Sequence, residues 1–84
     1  MKLRISPHAA QQLKKLRHDK KLVARLHAAF KEIQASPYQG KALEGSHEGK
    51  MSWRVGDYRI IYQILKDELV ILILNVADRK EVYR

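Results

Sequence analysis

The 84-residue chain has no cysteine, which excludes both a disulfide framework and a thiolate metal site. Its four histidines, His8, His18, His27 and His47, are scattered, and no pair stands at metal-ligand spacing on one element. Gly45 and Gly49 lack the flanking Lys-Ser/Thr of a phosphate loop. The opening Met1-Lys2-Leu3-Arg4-Ile5-Ser6-Pro7 has no apolar stretch of the kind a secretory signal needs. The apolar run from Leu69 to Leu74 is too short to cross a bilayer. Repeats and low-complexity linkers are also missing. A cytoplasmic protein is therefore expected, with no membrane partner, no metal and no cofactor.

Acidic residues are scarce as well: nine Asp/Glu stand against seventeen Lys/Arg, a formal charge of +8. Such a field on so small a body favours polyanions and anionic partner proteins, and says nothing about fold. Nucleic acid is the first candidate partner and an acidic protein the second. Hydrophobic content of 45% is ordinary for a globular chain. A single domain over residues 1–84 is expected, burying roughly 60 to 65% of its unfolded surface. A bound partner would add to its working stability.

The periodicities divide the chain in two. Lys2 to Ile5 alternates polar and apolar and is expected as a strand. Ser6-Pro7 is a helix start, a side-chain cap followed by proline at the first helical position. Ala9, Ala10, Leu13 and Leu16 supply a first apolar stripe. Asp19 can cap a second helix, whose face is Leu22, Leu26, Phe30 and Ile33. Ser36-Pro37 ends it, since the residue before proline is pushed out of the α region. Tyr38 to Gly49 has no periodicity and is expected as a loop.

From Lys50 the period becomes two. Met51 to Val55 is a strand, Gly56-Asp57 a turn, Tyr58 to Leu65 a second strand, and Leu69 to Val76 a third after the turn at Lys66-Asp67-Glu68. The heavily apolar third run suits a central strand. The expected fold is α+β: an N-terminal strand, an antiparallel helix pair and a three-stranded antiparallel meander, with the helices packed on one face of the sheet.

A two-residue loop at Gly56-Asp57 fixes the pairs Val55–Tyr58, Arg54–Arg59, Trp53–Ile60 and Ser52–Ile61. Trp53 and Ile60 then share the helix face, where Trp53 serves packing. Arg54 and Arg59 stand opposite each other on the other face. Like charges so paired cost tenths of a kcal/mol to about one. Two convergent arginines would make a site for a phosphate or carboxylate; alternatively, both splay into water. The tail Asp78-Arg79-Lys80-Glu81-Val82-Tyr83-Arg84 adds cations and an aromatic ring. If it folds beside the hairpin, the combined surface suits single-stranded RNA. Lys14, Lys15, Arg17, Lys20 and Lys21 form a solvated helix face, one that could also grip ribosomal RNA.

The stretch Trp53-Arg54-Val55-Gly56-Asp57-Tyr58-Arg59-Ile60-Ile61-Tyr62 resembles the signature of the RelE/ParE toxin superfamily. The ending Val76-Ala77-Asp78-Arg79-Lys80-Glu81-Val82-Tyr83 is similar to the close of RelE-type toxins. The opening strand, the two helices and the Lys41-Ala42-Leu43-Glu44-Gly45 segment fit as well. This resemblance implies the toxin of a type II toxin–antitoxin pair, held in a hetero-oligomer by its cognate antitoxin. It also implies a ribosome-dependent mRNA endonuclease, with ribosome and mRNA as partners. In such enzymes a ribose 2′-oxygen attacks the adjacent phosphate and expels the 5′-oxygen.

Carried over by position, Arg59 matches the sheet arginine that binds the reacting phosphate. Arg79 matches the arginine that stabilises charge or protonates the leaving oxygen. Tyr83 matches the tyrosine that stacks with or orients the nucleotide. Arg54 matches a basic residue that helps activate the nucleophile. Lys50, Lys80 and Arg84 are further nucleic-acid contacts, and Glu48 is an outside candidate for a base. Fixed cations aimed at a dianionic phosphorane are worth ~3 kcal/mol per donor. Arginine is a poor general base, with a pKa above about 12.

Two positions depart from the family pattern. Ser52 stands where RelE-type enzymes carry a further Lys or Arg. Asp78 precedes Arg79 where relatives have His or a basic residue, and it could mute Arg79 or accept a proton. The alternatives are a ParE-type poison of DNA gyrase, acting by protein contacts, and a decayed toxin that only binds its antitoxin.

Overall fold

A computed structural model describes residues 1–45 and 49–78 of the chain. Strand β1 (Lys2–Ile5) is followed by helices α1 (Pro7–Lys15) and α2 (Lys20–Ala35). A short 3-10 turn at Pro37–Gln39 leads to β2 (Lys41–Ala42), then β3 (Met51–Val55), β4 (Tyr58–Leu65) and β5 (Val70–Asp78). Among the described residues these strands form one five-stranded sheet of order β1-β5-β4-β3-β2. Strand β1 runs parallel to β5, and every other neighbouring pair is antiparallel. The α+β architecture and the β3-β4-β5 meander are as the periodicities indicate, and β5 is interior as its apolar run requires.

Local chemistry sets the helix starts. The Ser6 hydroxyl accepts the Ala9 N–H at 3.1 Å, with Pro7 in the first turn. The Asp19 carboxylate accepts the Leu22 N–H at 3.1 Å. Each cap contributes about 1 kcal/mol. Helix α2 buries Leu22, Leu26, Phe30 and Ile33 as its stripe demands. These meet Val55, Ile60, Tyr62, Ile71, Ile73 and Val76 from one face of the sheet. Fully burying a side chain of this size stabilises by roughly 1.5 to 3 kcal/mol, so this interface is the main source of stability.

Three details differ from the sequence expectations. Ala10 is exposed, while Ala9 is buried; adjacent helical residues lie about 100° apart, so only one of the pair can face the sheet. The segment expected as loop contributes β2, which pairs with β3 through Lys41–Ser52 and Ala42–Met51. Strand β5 begins at Val70 and not at Leu69. Leu69 takes a left-handed conformation (φ 56°) closing the 3-10 turn Lys66–Glu68, and is 64% exposed.

A bulge keeps β5 in phase with the core. Tyr62 pairs with Ile73 while Ile61 pairs with Asn75, leaving Leu74 as an extra residue. Ile73 and Val76, three apart, therefore both face the helices. Strand β1 pairs with β5 only from Val70 to Ile73. Beyond it, side chains of α1 cover the open edge: Gln12 Oε1 accepts the Val76 N–H at 2.6 Å and Gln12 Nε2 donates to Asn75 Oδ1 at 2.6 Å.

Candidate active site

The β3–β4 hairpin has the register expected from a two-residue turn: Val55–Tyr58, Arg54–Arg59, Trp53–Ile60 and Ser52–Ile61 are partners. Gly56 alone of the two turn residues carries a positive φ, 59°, the pattern of a II′ turn with glycine first. Ile60 is buried in the core and Trp53 packs against it half-buried. Alternation sends Ser52, Arg54, Arg59 and Ile61 to the face away from the helices.

On that open face Ile61 and Ala77 form a small apolar cluster with Leu43 packed on it, and Arg59 stands two residues from Ile61 along β4. Ala77 is the cross-strand partner of Arg59 on β5. The arginine is half-buried, and its Nη1 donates to the Ser52 hydroxyl at 3.3 Å. A guanidinium beside apolar groups acts on a phosphate through a lower effective dielectric than one in bulk water. Lys50 is half-buried just before β3. Its carbonyl accepts the Leu43 N–H at 3.0 Å, extending the β2–β3 pairing and carrying Lys50 onto the face of Ser52.

The two opposed arginines do not converge. Arg54 is exposed and folds towards the turn, its Nε donating to the Gly56 carbonyl at 3.1 Å. Arg59 reaches the opposite way, diagonally across the strands to Ser52. Like-charge repulsion between directly opposed residues favours this divergence, and each guanidinium finds a neutral oxygen. The expected convergence of the two arginines is therefore not what the hairpin shows: Arg59 turns to Ser52 and Arg54 to the hairpin tip.

Asp78 lies on the other side of the sheet. Its cross-strand partner is Tyr58, and with Tyr58 it lines a cleft of about 250 Å³ shared with His8, Gln12 and Lys15 of α1. Its carboxylate therefore does not sit over Arg59. Lys14, Lys15, Arg17, Lys20 and Lys21 are all exposed, as a solvated face requires. Arg79, Lys80, Tyr83, Arg84 and Glu48 lie outside the described residues. Among the described residues no three His, Asp or Glu side chains gather as metal ligands do.

Two residues to which the sequence reading gave no positioning role shape this region. Ser52 is a buried hydroxyl, 3% exposed; its place diagonal to Arg59 was implicit in the hairpin register. Tyr62 is fully buried on the helix face and donates to the Pro37 carbonyl at 2.6 Å. Burial pushes its hydroxyl pKa above the usual value, and the Gly40 backbone N–H opposes part of that shift. A β-carbon at Gly40 would overlap the Tyr62 hydroxyl, so glycine is required there by close approach. This tie fixes the segment leading into β2, and hence Leu43 on the open face.

Comparison with known proteins supplies the family. The model of the ParE toxin of the type II toxin–antitoxin system parDE matches residues 3–83. Toxin RelG of Mycobacterium tuberculosis is 34% identical over 64 residues, 75% of this chain and 74% of the relative. The chain belongs to the RelE/ParE superfamily of type II toxins. The toxin is also similar in structure to the RelBE2 toxin–antitoxin complex of M. tuberculosis. There the TM-score is 0.80 at 32% identity, over 93% of this chain and 96% of that one. The isolated E. coli RelE toxin shares the fold, with a TM-score of 0.77 at 22% identity over 98% and 89% of the two chains. So does a YoeB/ParE toxin from Agrobacterium tumefaciens, at 0.83 and 15% identity over 93% and 98%.

Proposed function

We propose that this toxin is a ribosome-dependent mRNA endonuclease of the cytoplasm, silenced in a hetero-oligomer with its cognate antitoxin. The observation that carries the proposal is Arg59: a half-buried guanidinium on the open sheet face, among apolar neighbours and held by Ser52. Its position in the hairpin matches the phosphate-binding arginine implied by resemblance to RelE-type toxins.

In the proposed reaction the 2′-oxygen of a ribose attacks the adjacent phosphorus and the bond to the 5′-oxygen breaks. The products are a 2′,3′-cyclic phosphate and a free 5′-hydroxyl. One proton leaves the 2′-hydroxyl and one is delivered to the 5′-oxygen. Arg59 binds the reacting phosphate and stabilises the charge gained in the phosphorane, an effect worth ~3 kcal/mol for one preorganised donor. Arg79 is assigned to the leaving oxygen and Tyr83 to stacking against the nucleotide. Lys50, Lys80 and Arg84 are assigned to the RNA backbone. Arg54 is drawn to the Gly56 carbonyl, so we assign it to a flanking phosphate and not to the nucleophile.

A second reading, a ParE-type poison of DNA gyrase, is favoured by the match to the ParE toxin family over residues 3–83. Brief induction separates the two when 5′ ends of a reporter mRNA are mapped alongside chromosome integrity. New ends within translated codons over intact DNA support the nuclease. Fragmented DNA with uncut mRNA supports the gyrase poison, and unimpaired growth with neither leaves a relic that only binds its antitoxin.

A further inference from the structure

Ser52 stands where relatives of the RelE type carry a cation, and at the sequence level it counts as a loss. In the folded toxin it is 3% exposed, its hydroxyl accepts the Arg59 Nη1 hydrogen at 3.3 Å, and the two strands that carry the pair are neighbours. We propose that Ser52 is a positioning residue for Arg59: the buried hydroxyl fixes the guanidinium plane over the open sheet face. This rests on the assignment of Arg59 to the reacting phosphate.

A long side chain on a sheet surface samples many rotamers, and immobilising it before substrate arrives removes that cost from the catalytic step. Ser52 is buried and on the regular part of β3, so the sheet holds its backbone and burial limits where its hydroxyl can turn. Above all, a hydroxyl is neutral. A carboxylate in its place would hold the arginine more firmly but would cancel the charge that a phosphate needs. A lysine would add charge and hold nothing. Where the family's pattern has a further cation, this chain places a neutral hydroxyl that bonds to Arg59.

The test uses the full-length toxin and its Ser52→Ala, Ser52→Thr and Ser52→Asp variants, added to a reconstituted translation reaction. Thermal melts establish that each is folded. Ser52→Ala is expected to lower kcat about tenfold with KM little changed, the loss of one hydrogen bond to a charged group. Ser52→Thr keeps the hydroxyl and restores most of the rate. Ser52→Asp is expected to be slower than Ser52→Ala by a further factor of about ten, because it neutralises the guanidinium.

Nitrogen-15 NMR of the Arg59 side chain supplies a readout independent of cleavage. Rotation about the Nε–Cζ bond should be slower in the wild type and Ser52→Thr than in Ser52→Ala. Equal kcat in all three hydroxyl and alanine forms, or unchanged Arg59 rotation in Ser52→Ala, overturns the proposal. If the wild type cleaves nothing, the nuclease reading fails by itself, and the NMR arm still decides whether Ser52 holds Arg59.

Discussion

Replacing Gln12 with alanine should loosen the far end of β5 while leaving the core in place. Strand β1 covers β5 only as far as Ile73. The Gln12 amide then takes over, with one 2.6 Å bond to the Val76 N–H and another to the Asn75 side chain. Truncation leaves a partly buried N–H without its acceptor, a cost of about 1 to 3 kcal/mol. Taking the middle of that range, about 2 kcal/mol corresponds to a fall in Tm of roughly 8 to 16 °C for a domain this small. The same loss should accelerate amide exchange at Val76 by about thirtyfold. Ala77, whose N–H alternation turns towards β4, should change far less. Urea melts and residue-resolved hydrogen exchange read both effects, with Gln11→Ala on the exposed side of α1 as control. Equal stability and equal Val76 protection in the two variants would refute the edge-capping role of Gln12.

Tyr62→Phe removes the bond to the Pro37 carbonyl and should cost about 1 to 3 kcal/mol in a urea titration. Burial raises the Tyr62 pKa, so the folded state holds its proton longer than the unfolded chain. Its contribution to stability is full below the unfolded value of about 10 and is lost as pH rises through the higher folded value. Stability measured across alkaline pH should therefore fall less steeply in Tyr62→Phe than in the wild type. At Leu69, which combines φ 56° with 64% exposure, asparagine tolerates the left-handed region better. Leu69→Asn should raise Tm by several degrees, on the scale of about 4 to 8 °C per kcal/mol. An unchanged or lower Tm would mean that the leucine side chain makes contacts worth more than the backbone strain.

The hairpin shows what was legible in the sequence and what was not. Gly56-Asp57 dictated the strand register, and every pair from Ser52–Ile61 to Val55–Tyr58 followed because a side-chain period of two leaves no freedom once the turn is set. Helix caps at Ser6 and Asp19 and the stripe of α2 were equally readable, being local. Register fixes Cα partners, however, and not where long side chains go. The divergence of Arg54 and Arg59 depended on which neutral oxygens lay within reach, Gly56 for one and Ser52 for the other. Asp78 turned out to face α1 because of the bulge at Leu74, which no periodicity announced. Gln12 was invisible for a related reason: its role exists only because β1 stops at Ile73, a matter of tertiary pairing. Lys41 and Ala42 form too short a strand to carry a pattern of their own.

Cleavage of a translated message by purified Arg59→Ala and wild-type toxin, in a reconstituted translation reaction, bears most directly on the central claim. Reverse-transcription mapping of the cut ends, with a second message whose start codon is blocked, supplies the readout. The expected result is cutting within codons by the wild type, absent on the blocked message and slowed about 10²- to 10³-fold by the substitution at unchanged Tm. Equal cutting by Arg59→Ala, or cutting that ignores the start codon, would contradict it.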